Sequence, residues 1–307
     1  MSTRPLLAFS AIYLVWGSTY LAVAVGLRSF PPMILMGTRC LIGGLILLGW
    51  SLLHNQRLPS AQLMIHGVTC GLLFFVGCHG VLAIAQQHVP SGIAAVILAT
   101  IPFWIAMLRF LLPGERRPAP ATICALGVGF AGVAVIAWAA PSSGSHRMEL
   151  PWLAALLGAS LSWALGTVLT QRHKGETPAL TLAGVELLAG GVTLAVLCAI
   201  TGELRGFRVQ AVSADSLFAL AYLILAGTVL SFAAYVWLLD RVDPTLVATY
   251  TFVNPVIAVI LGWAFLEERP TAGMLVGAPL IVGAVATAWV IDRKQQIMKN
   301  AAGVSRI

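Results

Sequence analysis

The stretch VDPTLVATYTFVNPVIAVILGWAFLEERP, residues Val242–Pro270, has a near-copy in VPSGIAAVILATIPFWIAMLRFLLPGERRP, residues Val89–Pro118, and this pair decides the predicted fold. Each copy is a long apolar run that ends in an acidic and basic cluster, and an offset of 153 residues places Pro102 on Pro255. Because proline lacks an N–H and clashes with the carbonyl four residues earlier, we expect both helices to break near these prolines.

Composition places the chain in a membrane. Hydrophobic residues make up 59% of the 307 residues and charged residues 9%, whereas a soluble domain is about 45–50% apolar and about 25% charged. A water-soluble fold is therefore excluded, and the lipid bilayer is the expected solvent and partner of this chain.

The charges and cysteines exclude several other classes of function. The net charge of +7 comes from basic residues scattered singly between apolar runs, which is typical of membrane-protein loops and not of a nucleic-acid-binding face. The five cysteines lie inside apolar runs, without a CxxC pair or a metal-ligand spacing. We therefore predict no metal, no cofactor and no nucleic-acid partner.

The apolar runs predict an all-α membrane protein with ten transmembrane helices. A helix needs about 20 apolar residues to cross a bilayer core of about 30 Å. Ten runs reach that length: 6–25, 32–53, 64–86, 91–112, 120–139, 151–171, 179–200, 216–239, 245–266 and 272–291.

Basic residues predict the orientation. With the N-terminus inside, twelve lysines and arginines fall in cytoplasmic segments and five in outer segments, while Arg39 lies within a run. Excess basic charge marks the cytoplasmic side. We therefore expect a multi-pass inner-membrane protein with both termini in the cytoplasm.

The second half of the chain repeats the first. At an offset of 147 residues the matches include Trp16 with Trp163, Pro31 with Pro178, Gly37 with Gly184, and Gly43-Gly44 with Gly190-Gly191. Five helices per copy is an odd number, so the second copy enters the membrane from the opposite side and the repeats are inverted. The predicted domains are a first repeat (1–140), a periplasmic linker (141–150), a second repeat (151–291) and a cytoplasmic tail (292–307).

Inverted repeats with broken helices favour transport by alternating access. Rocking two halves about a shared central site exposes that site to either side of the membrane in turn. A membrane-embedded enzyme is the alternative outside transport, and it needs a catalytic cluster. The sequence contains no HExxH or GxSxG motif and only one deep carboxylate, so we predict a protein that is not an enzyme.

The ten-helix duplication resembles the EamA branch of the drug/metabolite transporter superfamily over roughly residues 6–291. The motifs that carry the resemblance are Trp16-Gly17-Ser18-Thr19, Pro31-Pro32, Arg39, Pro90-Ser91-Gly92 leading to Pro102, Ser162-Trp163, Glu186, and Asn254-Pro255 followed by Glu267-Glu268-Arg269. The resemblance implies export of amino acids or related small metabolites. Uptake and efflux of drug-like compounds are the alternatives within the same fold.

Two features of the sequence narrow the range of expected substrates. The first helix contains no acid, unlike that of the small multidrug transporters, which disfavours antiport of polycationic drugs against protons. Phosphorylated substrates need several deep basic side chains, and Arg39 is the single one deep within a run.

Aromatic and hydroxyl side chains of the repeated motif are candidates for the site. Trp16 and Trp163 are repeat mates near the middle of their helices, and inversion places them across from each other. They form either an aromatic wall around a ligand or dense packing. Ser18 and Thr19 contact substrate or bond to their own helix backbone.

Further candidates lie in the third, fourth and ninth runs. His79 is either a packing residue or a site group, and Pro102 frees a backbone carbonyl. Tyr250 and Asn254 are expected to face the cavity, and Asn254 is the strongest candidate because its amide both donates and accepts. Tyr235 is expected to be an interfacial anchor.

Arg39 and Glu186 are full charges deep within apolar runs at matched repeat positions. Buried charge in a bilayer is costly and is retained for a reason. Glu186 is either a proton-coupling carboxylate or a structural partner, and a direct ion pair between the two is not assured because they enter from opposite faces.

Overall fold

A computed structural model describes residues 3–54, 60–89, 91–112, 120–138, 150–173, 176 and 178–266, with part of the stretch 273–291. Within these residues every regular element is helical. The helices are α1 (Thr3–Gly26), α2 (Pro32–Leu53), α3 (Ala61–Ala85), α4a (Ser91–Leu98), α4b (Ile101–Leu111), α5 (Pro120–Trp138), α6 (Leu150–Arg172), α7 (Ala179–Thr201), α8 (Ala214–Leu239), α9a (Pro244–Val247) and α9b (Tyr250–Leu266).

Six of the described helices, α1, α2, α3, α6, α7 and α8, are long and apolar enough to cross a membrane. They correspond to six of the ten predicted runs and are candidate membrane spans. The described positions of the last run, between 273 and 291, are helical. The predicted linker up to residue 149, the tail 292–307 and the clusters at 115–117 and 267–269 lie outside the described residues.

Local sequence sets where several helices begin and end. Pro32 starts α2, at a position where the missing N–H costs nothing. The Ser213 hydroxyl accepts a hydrogen bond from the backbone N–H of Ser216 and caps α8. Gly202 ends α7 at φ 77°, a left-handed conformation that favours glycine.

The fourth and ninth runs are broken, but only one break lies beside its proline. The fourth run turns at Ala99–Thr100, and Pro102 then lies in the first turn of α4b. The ninth run turns at 248–249, whereas Pro255 lies inside α9b. The prediction of two breaks at the matched prolines is therefore wrong for Pro255.

A threonine stands at each of these turns. The Thr100 hydroxyl donates to the Ile97 carbonyl at 2.7 Å, and the Thr249 hydroxyl donates to the Leu246 carbonyl at 2.6 Å. The same carbonyls also accept the backbone N–H groups of Thr100 and Thr249. The polar groups of both turns are therefore paired within the chain, as membrane burial requires.

Two π-helical segments were not predicted. They span Leu72–Gly80 in α3 and Leu223–Leu230 in α8. Such segments rotate the following side chains relative to a regular α-helix and are frequent at functional sites. The first contains His79 and the second contains Thr228, and both residues take part in the site described below.

Helices α2 and α7 pack through glycines in a reciprocal pattern. A Cβ atom added at Gly44 would lie 2.9 Å from the backbone nitrogen of Leu188, and one added at Gly191 would lie 2.8 Å from that of Leu41. Adding 147 to the positions of Leu41 and Gly44 gives Leu188 and Gly191, so the repeat relates one contact to the other. From position 41 to position 44 of α2, the position contacted in α7 goes down from 191 to 188, so the two helices are antiparallel. Their axes approach closely because glycine contributes no side chain on either side of the contact.

Candidate functional site

A cavity lies at the centre of the described bundle. It contains about 510 Å³ of space free of protein atoms, including the part open to the outside. The residues lining it come from α1, α2, α3, α4a, α4b, α6 and α9b: Trp16, Thr19, Tyr20, Val23, Met36, Arg39, Cys78, His79, Leu82, Gln86, Leu98, Ile101, Trp163, Tyr250, Thr251 and Asn254.

One wall of the cavity is aromatic. The ring centroid of Trp16 lies 4.6 Å from that of Tyr250 and 5.6 Å from that of Trp163, and both pairs are edge-to-face. The Trp16 Nε1 group donates to the Gly227 carbonyl at 2.8 Å, which fixes the ring plane. The predicted meeting of Trp16 and Trp163 is therefore present as geometry, while ligand binding by this wall stays a prediction.

Tyr235 stands behind this wall and not at a membrane interface. Its side chain is 0% exposed, and its hydroxyl accepts a hydrogen bond from Trp163 Nε1 at 3.1 Å and bonds to the Thr167 hydroxyl. The interfacial prediction is wrong because buried partners satisfy the phenol, as a buried tyrosine requires.

Three polar side chains of the cavity have atoms without protein partners. These atoms are Nδ1 of His79, both amide atoms of Gln86 and Oδ1 of Asn254. Since buried polar atoms are nearly always hydrogen-bonded, these atoms are the ones a bound molecule would satisfy.

The two predicted intramembrane charges have different surroundings. Arg39 lines the cavity, is 3% exposed, and donates from Nε to the Thr228 hydroxyl at 2.6 Å. Glu186 is 0% exposed and is not among the cavity-lining residues. Its Oε1 accepts from the Thr170 hydroxyl at 2.9 Å, and its Oε2 has no partner. Among the described residues these two charges form no ion pair.

The remaining candidates divide between the cavity and the helix backbone. Thr19 lines the cavity while its hydroxyl donates to the Trp16 carbonyl at 2.7 Å. The Ser18 hydroxyl donates to the Val15 carbonyl at 2.7 Å, and Ser18 does not line the cavity. Pro102 is buried beside the cavity-lining residue Ile101 without lining it.

The cavity extends from the middle of the bundle toward one end. We call the end where α1 begins and α2 ends the near end, and the opposite one the far end. Val23, Met36 and Gln86 extend the lining toward the far end. At the near end the Tyr13 hydroxyl bonds to the Thr249 hydroxyl at 2.6 Å, so the described helices are joined below the aromatic wall.

Sequence reasoning missed Tyr20, Met36 and Thr251 as lining residues. Tyr20 follows the repeated Trp16 by one helical turn, which was an available signal because residues four apart share a helix face. Met36 and Thr251 carry no comparable signal, since only the packing of α2 and α9b brings them to the cavity.

Comparison with known proteins gives the family. The EamA-like transporter family matches this chain twice, over residues 3–138 and 150–290. The chain is 36% identical over 259 residues to the "Uncharacterized inner membrane transporter YedA" of Escherichia coli strain K12, covering 83% of this chain and 80% of that protein. It is 28% identical over 300 residues to the "Uncharacterized transporter YvbV" of Bacillus subtilis strain 168, covering 98% and 95%.

One further relative and one solved structure are also similar to this chain. "Protein PecM" of Dickeya dadantii is 27% identical over 278 residues, covering 88% of this chain and 87% of that protein. One crystal structure has a TM-score of 0.77 at 23% identity and covers 96% of this chain and 99% of its own, a likeness of fold alone. The chain is a multi-pass membrane transporter that belongs to the EamA-like transporter family, within the drug/metabolite transporter superfamily.

Proposed function

We propose that this chain exports amino acids or related small metabolites across the inner membrane by alternating access. The observation that carries the proposal is the central cavity, which combines an aromatic wall with unpartnered polar atoms of His79, Gln86 and Asn254. Ligand sites are typically concave and mostly apolar, with a few polar groups that fix orientation. An amino acid with an apolar side chain matches that combination.

The architecture in this proposal is ten helices in two inverted repeats. Two separate family matches, one in each half, support the duplication. The antiparallel α2 and α7, with reciprocal glycine contacts, and the π-helical segments at corresponding positions of α3 and α8 support the inversion. The proposed boundaries remain 1–140, 141–150, 151–291 and 292–307.

The orientation places both termini in the cytoplasm. The twelve-to-five distribution of basic residues supports it. In this orientation the near end of the bundle is cytoplasmic, and the cavity reaches toward the periplasm. The described conformation then corresponds to the state that releases an exported substrate.

Glu186 has a structural role in this proposal. It lies outside the cavity lining, and its Oε1 accepts from Thr170, which ties α7 to α6. A coupling carboxyl group, for which the proton and the substrate compete, would be expected in the cavity wall. The Glu186→Gln variant tests the proton-coupling alternative.

Purified protein in liposomes tests the function. We expect a panel of radiolabelled amino acids to contain at least one that crosses only liposomes holding the protein. Each flux is measured with and without a pH gradient, and from either side. Flux of no amino acid would overturn the substrate assignment, and flux of amines or drug-like cations alone would favour the efflux alternative.

A further inference from the structure

Arg39 carries a positive charge into the cavity without an acidic partner. Its Nε donates to Thr228, and its Nη1 reaches the sulfur of Met36 at 3.8 Å. A thioether is a weak acceptor. Among the described residues no carboxylate lies within 4.0 Å of the guanidinium, and none accepts a hydrogen bond from its Nη2 group.

The surroundings of Arg39 do not supply a counter-charge. The other titratable groups in the lining are Tyr20, Tyr250, Cys78 and His79, none of which is a carboxylic acid. The guanidinium stays protonated in proteins, so the charge cannot be discharged by losing a proton. A buried ion without a partner is costly, and this one faces an open volume.

We propose that Arg39 binds the carboxylate of the transported molecule, and that the substrates are small monocarboxylates with an apolar or aromatic body. The planar guanidinium offers parallel N–H groups that fit the two oxygens of a carboxylate. This inference rests on the proposed function, and it names the chemical group on which that function depends.

Charge balance defines the substrate class further. One carboxylate neutralises one guanidinium, whereas a phosphate dianion leaves an uncompensated charge in a site of low polarity. Cations are repelled by Arg39 and find no carboxylate in the lining. The ammonium group of an amino acid finds neutral acceptors in Oδ1 of Asn254 and Oε1 of Gln86.

The aromatic wall receives the other end of the substrate. The Trp16 ring contacts those of Trp163 and Tyr250, and all three residues line the same cavity as Arg39. A planar or branched apolar side chain packs against such rings with favourable edge and face contacts. The cavity therefore selects for a carboxylate and an apolar group within one small molecule.

Equilibrium binding of three related probes to the full-length protein in lipid nanodiscs tests the proposal. The probes are 3-phenylpropanoate, phenylalanine and phenethylamine, which carry a carboxylate, both charged groups and an amine alone. We expect the two carboxylates to bind and the amine to bind at least about tenfold more weakly, since charge-assisted hydrogen bonds are the stronger class.

Variants assign the effect to the side chain. Arg39→Gln is expected to weaken carboxylate binding at least about tenfold, and Arg39→Lys to lose less because it keeps the charge without the fork. Arg241→Gln is the matched control, because Arg241 stacks on Trp237 with its guanidinium 4.4 Å from the ring centroid and lies outside the cavity. Should Arg39→Gln fail to fold, Arg39→Lys and the probe series on the unaltered chain decide.

Three results would overturn the proposal: the unaltered chain binds neither carboxylate, the amine binds as tightly as the carboxylates, or a folded Arg39→Gln keeps full affinity for them. Failure of the transport proposal looks different. In that case carboxylates bind in an Arg39-dependent manner, yet no flux occurs in liposomes. Flux of neutral or cationic metabolites that ignores Arg39 would preserve transport and remove the carboxylate assignment.

Discussion

Arg109 and Asp243 form an ion pair that joins α4b to the start of α9a at the near end of the bundle. Nη1 of Arg109 lies 2.8 Å from each carboxylate oxygen of Asp243 and 3.0 Å from the Thr245 hydroxyl. Asp243 also accepts from the backbone N–H of Thr245 at 2.9 Å and so caps α9a. The pair connects the two halves of the chain at the near end, opposite the end toward which the cavity lining extends.

The pair has no equivalent at the matched positions of the repeat. The offset of 153 that relates the fourth and ninth runs places Arg109 on Gly262 and Asp243 on Pro90. Neither glycine nor proline carries a charge. We therefore expect the ion pair to favour closure at the near end, while different contacts, such as that of the Met33 N–H with Glu203, join the two halves at the far end.

Removing the pair is expected to shift the protein toward opening at the near end. Asp243 is 34% exposed, so we assign the pair about 1 kcal/mol, which is roughly a fivefold change in the ratio of conformations. In Arg109→Gln, a thiol introduced by Thr249→Cys should react faster with an impermeant maleimide added from the near side.

The reciprocal exchange Arg109→Asp with Asp243→Arg is the control for this prediction, since it restores opposite charges at the same places. Equal labelling at position 249 in the unaltered, single-variant and exchanged proteins would contradict a role of the pair in closure.

Loss of the Asn254 amide is expected to weaken substrate binding with little effect on folding. Its Oδ1 has no protein partner, so Asn254→Leu removes an acceptor that only a substrate would use. We expect the substrate KM in liposome flux to rise about tenfold. Tyr20→Phe is the comparison, because it removes the hydroxyl of another lining residue and keeps Oδ1 of Asn254. An unchanged KM in a folded Asn254→Leu variant would contradict a role of this amide in binding.

Glycines in the α2–α7 contact are expected to be intolerant of even a methyl group. Gly44→Ala would place a Cβ atom 2.9 Å from the Leu188 backbone nitrogen, and overpacking of this kind costs about 1–3 kcal/mol. We expect the melting temperature in detergent to fall by several degrees. Gly49→Ala in the same helix is the control, because nothing lies within 4 Å of its added Cβ atom.

The mirrored variant Gly191→Ala should lose a similar amount, since its Cβ atom would meet the Leu41 nitrogen at 2.8 Å. A fall for Gly44→Ala with no change for Gly191→Ala would contradict the reciprocal packing of the two halves.

Replacement of Glu186 by glutamine is expected to leave transport and its response to a pH gradient unchanged. The glutamine carbonyl keeps an acceptor for the Thr170 hydroxyl, which donates to Oε1 at 2.9 Å. The measurement is flux in liposomes with and without a gradient, beside the melting temperature. If the variant folds normally and loses a gradient dependence that the unaltered protein has, Glu186 is the coupling carboxyl and its structural role is wrong.

Features that depend on local patterns could be predicted from the sequence. Run length and polarity identified the six long helices, because a bilayer imposes a minimum apolar length on each span. Repeat spacing matched Trp16 with Trp163, and their rings are in contact. The cavity position of Asn254 also agrees with expectation, although its use by a substrate stays a prediction.

Features that depend on tertiary packing could not be predicted. The Arg109–Asp243 pair joins residues 134 positions apart, and nothing near either residue indicates the other. The ninth run turns at 248–249 and continues as a helix through Pro255, so the proline misdirected the prediction of that break. Tyr235 resembles an interfacial tyrosine by its position near a helix end, but Trp163 and Thr167 supply buried partners.

The cavity between the two halves is the proposed transport site. In a chain whose five cysteines are replaced, Gln86→Cys introduces one thiol into the lining near the far end. Labelling of that thiol by a maleimide is measured together with amino-acid counterflow in the same liposomes. We predict that the transported amino acid slows labelling and that complete labelling stops counterflow. Complete labelling that is insensitive to the amino acid and leaves counterflow intact would contradict the claim.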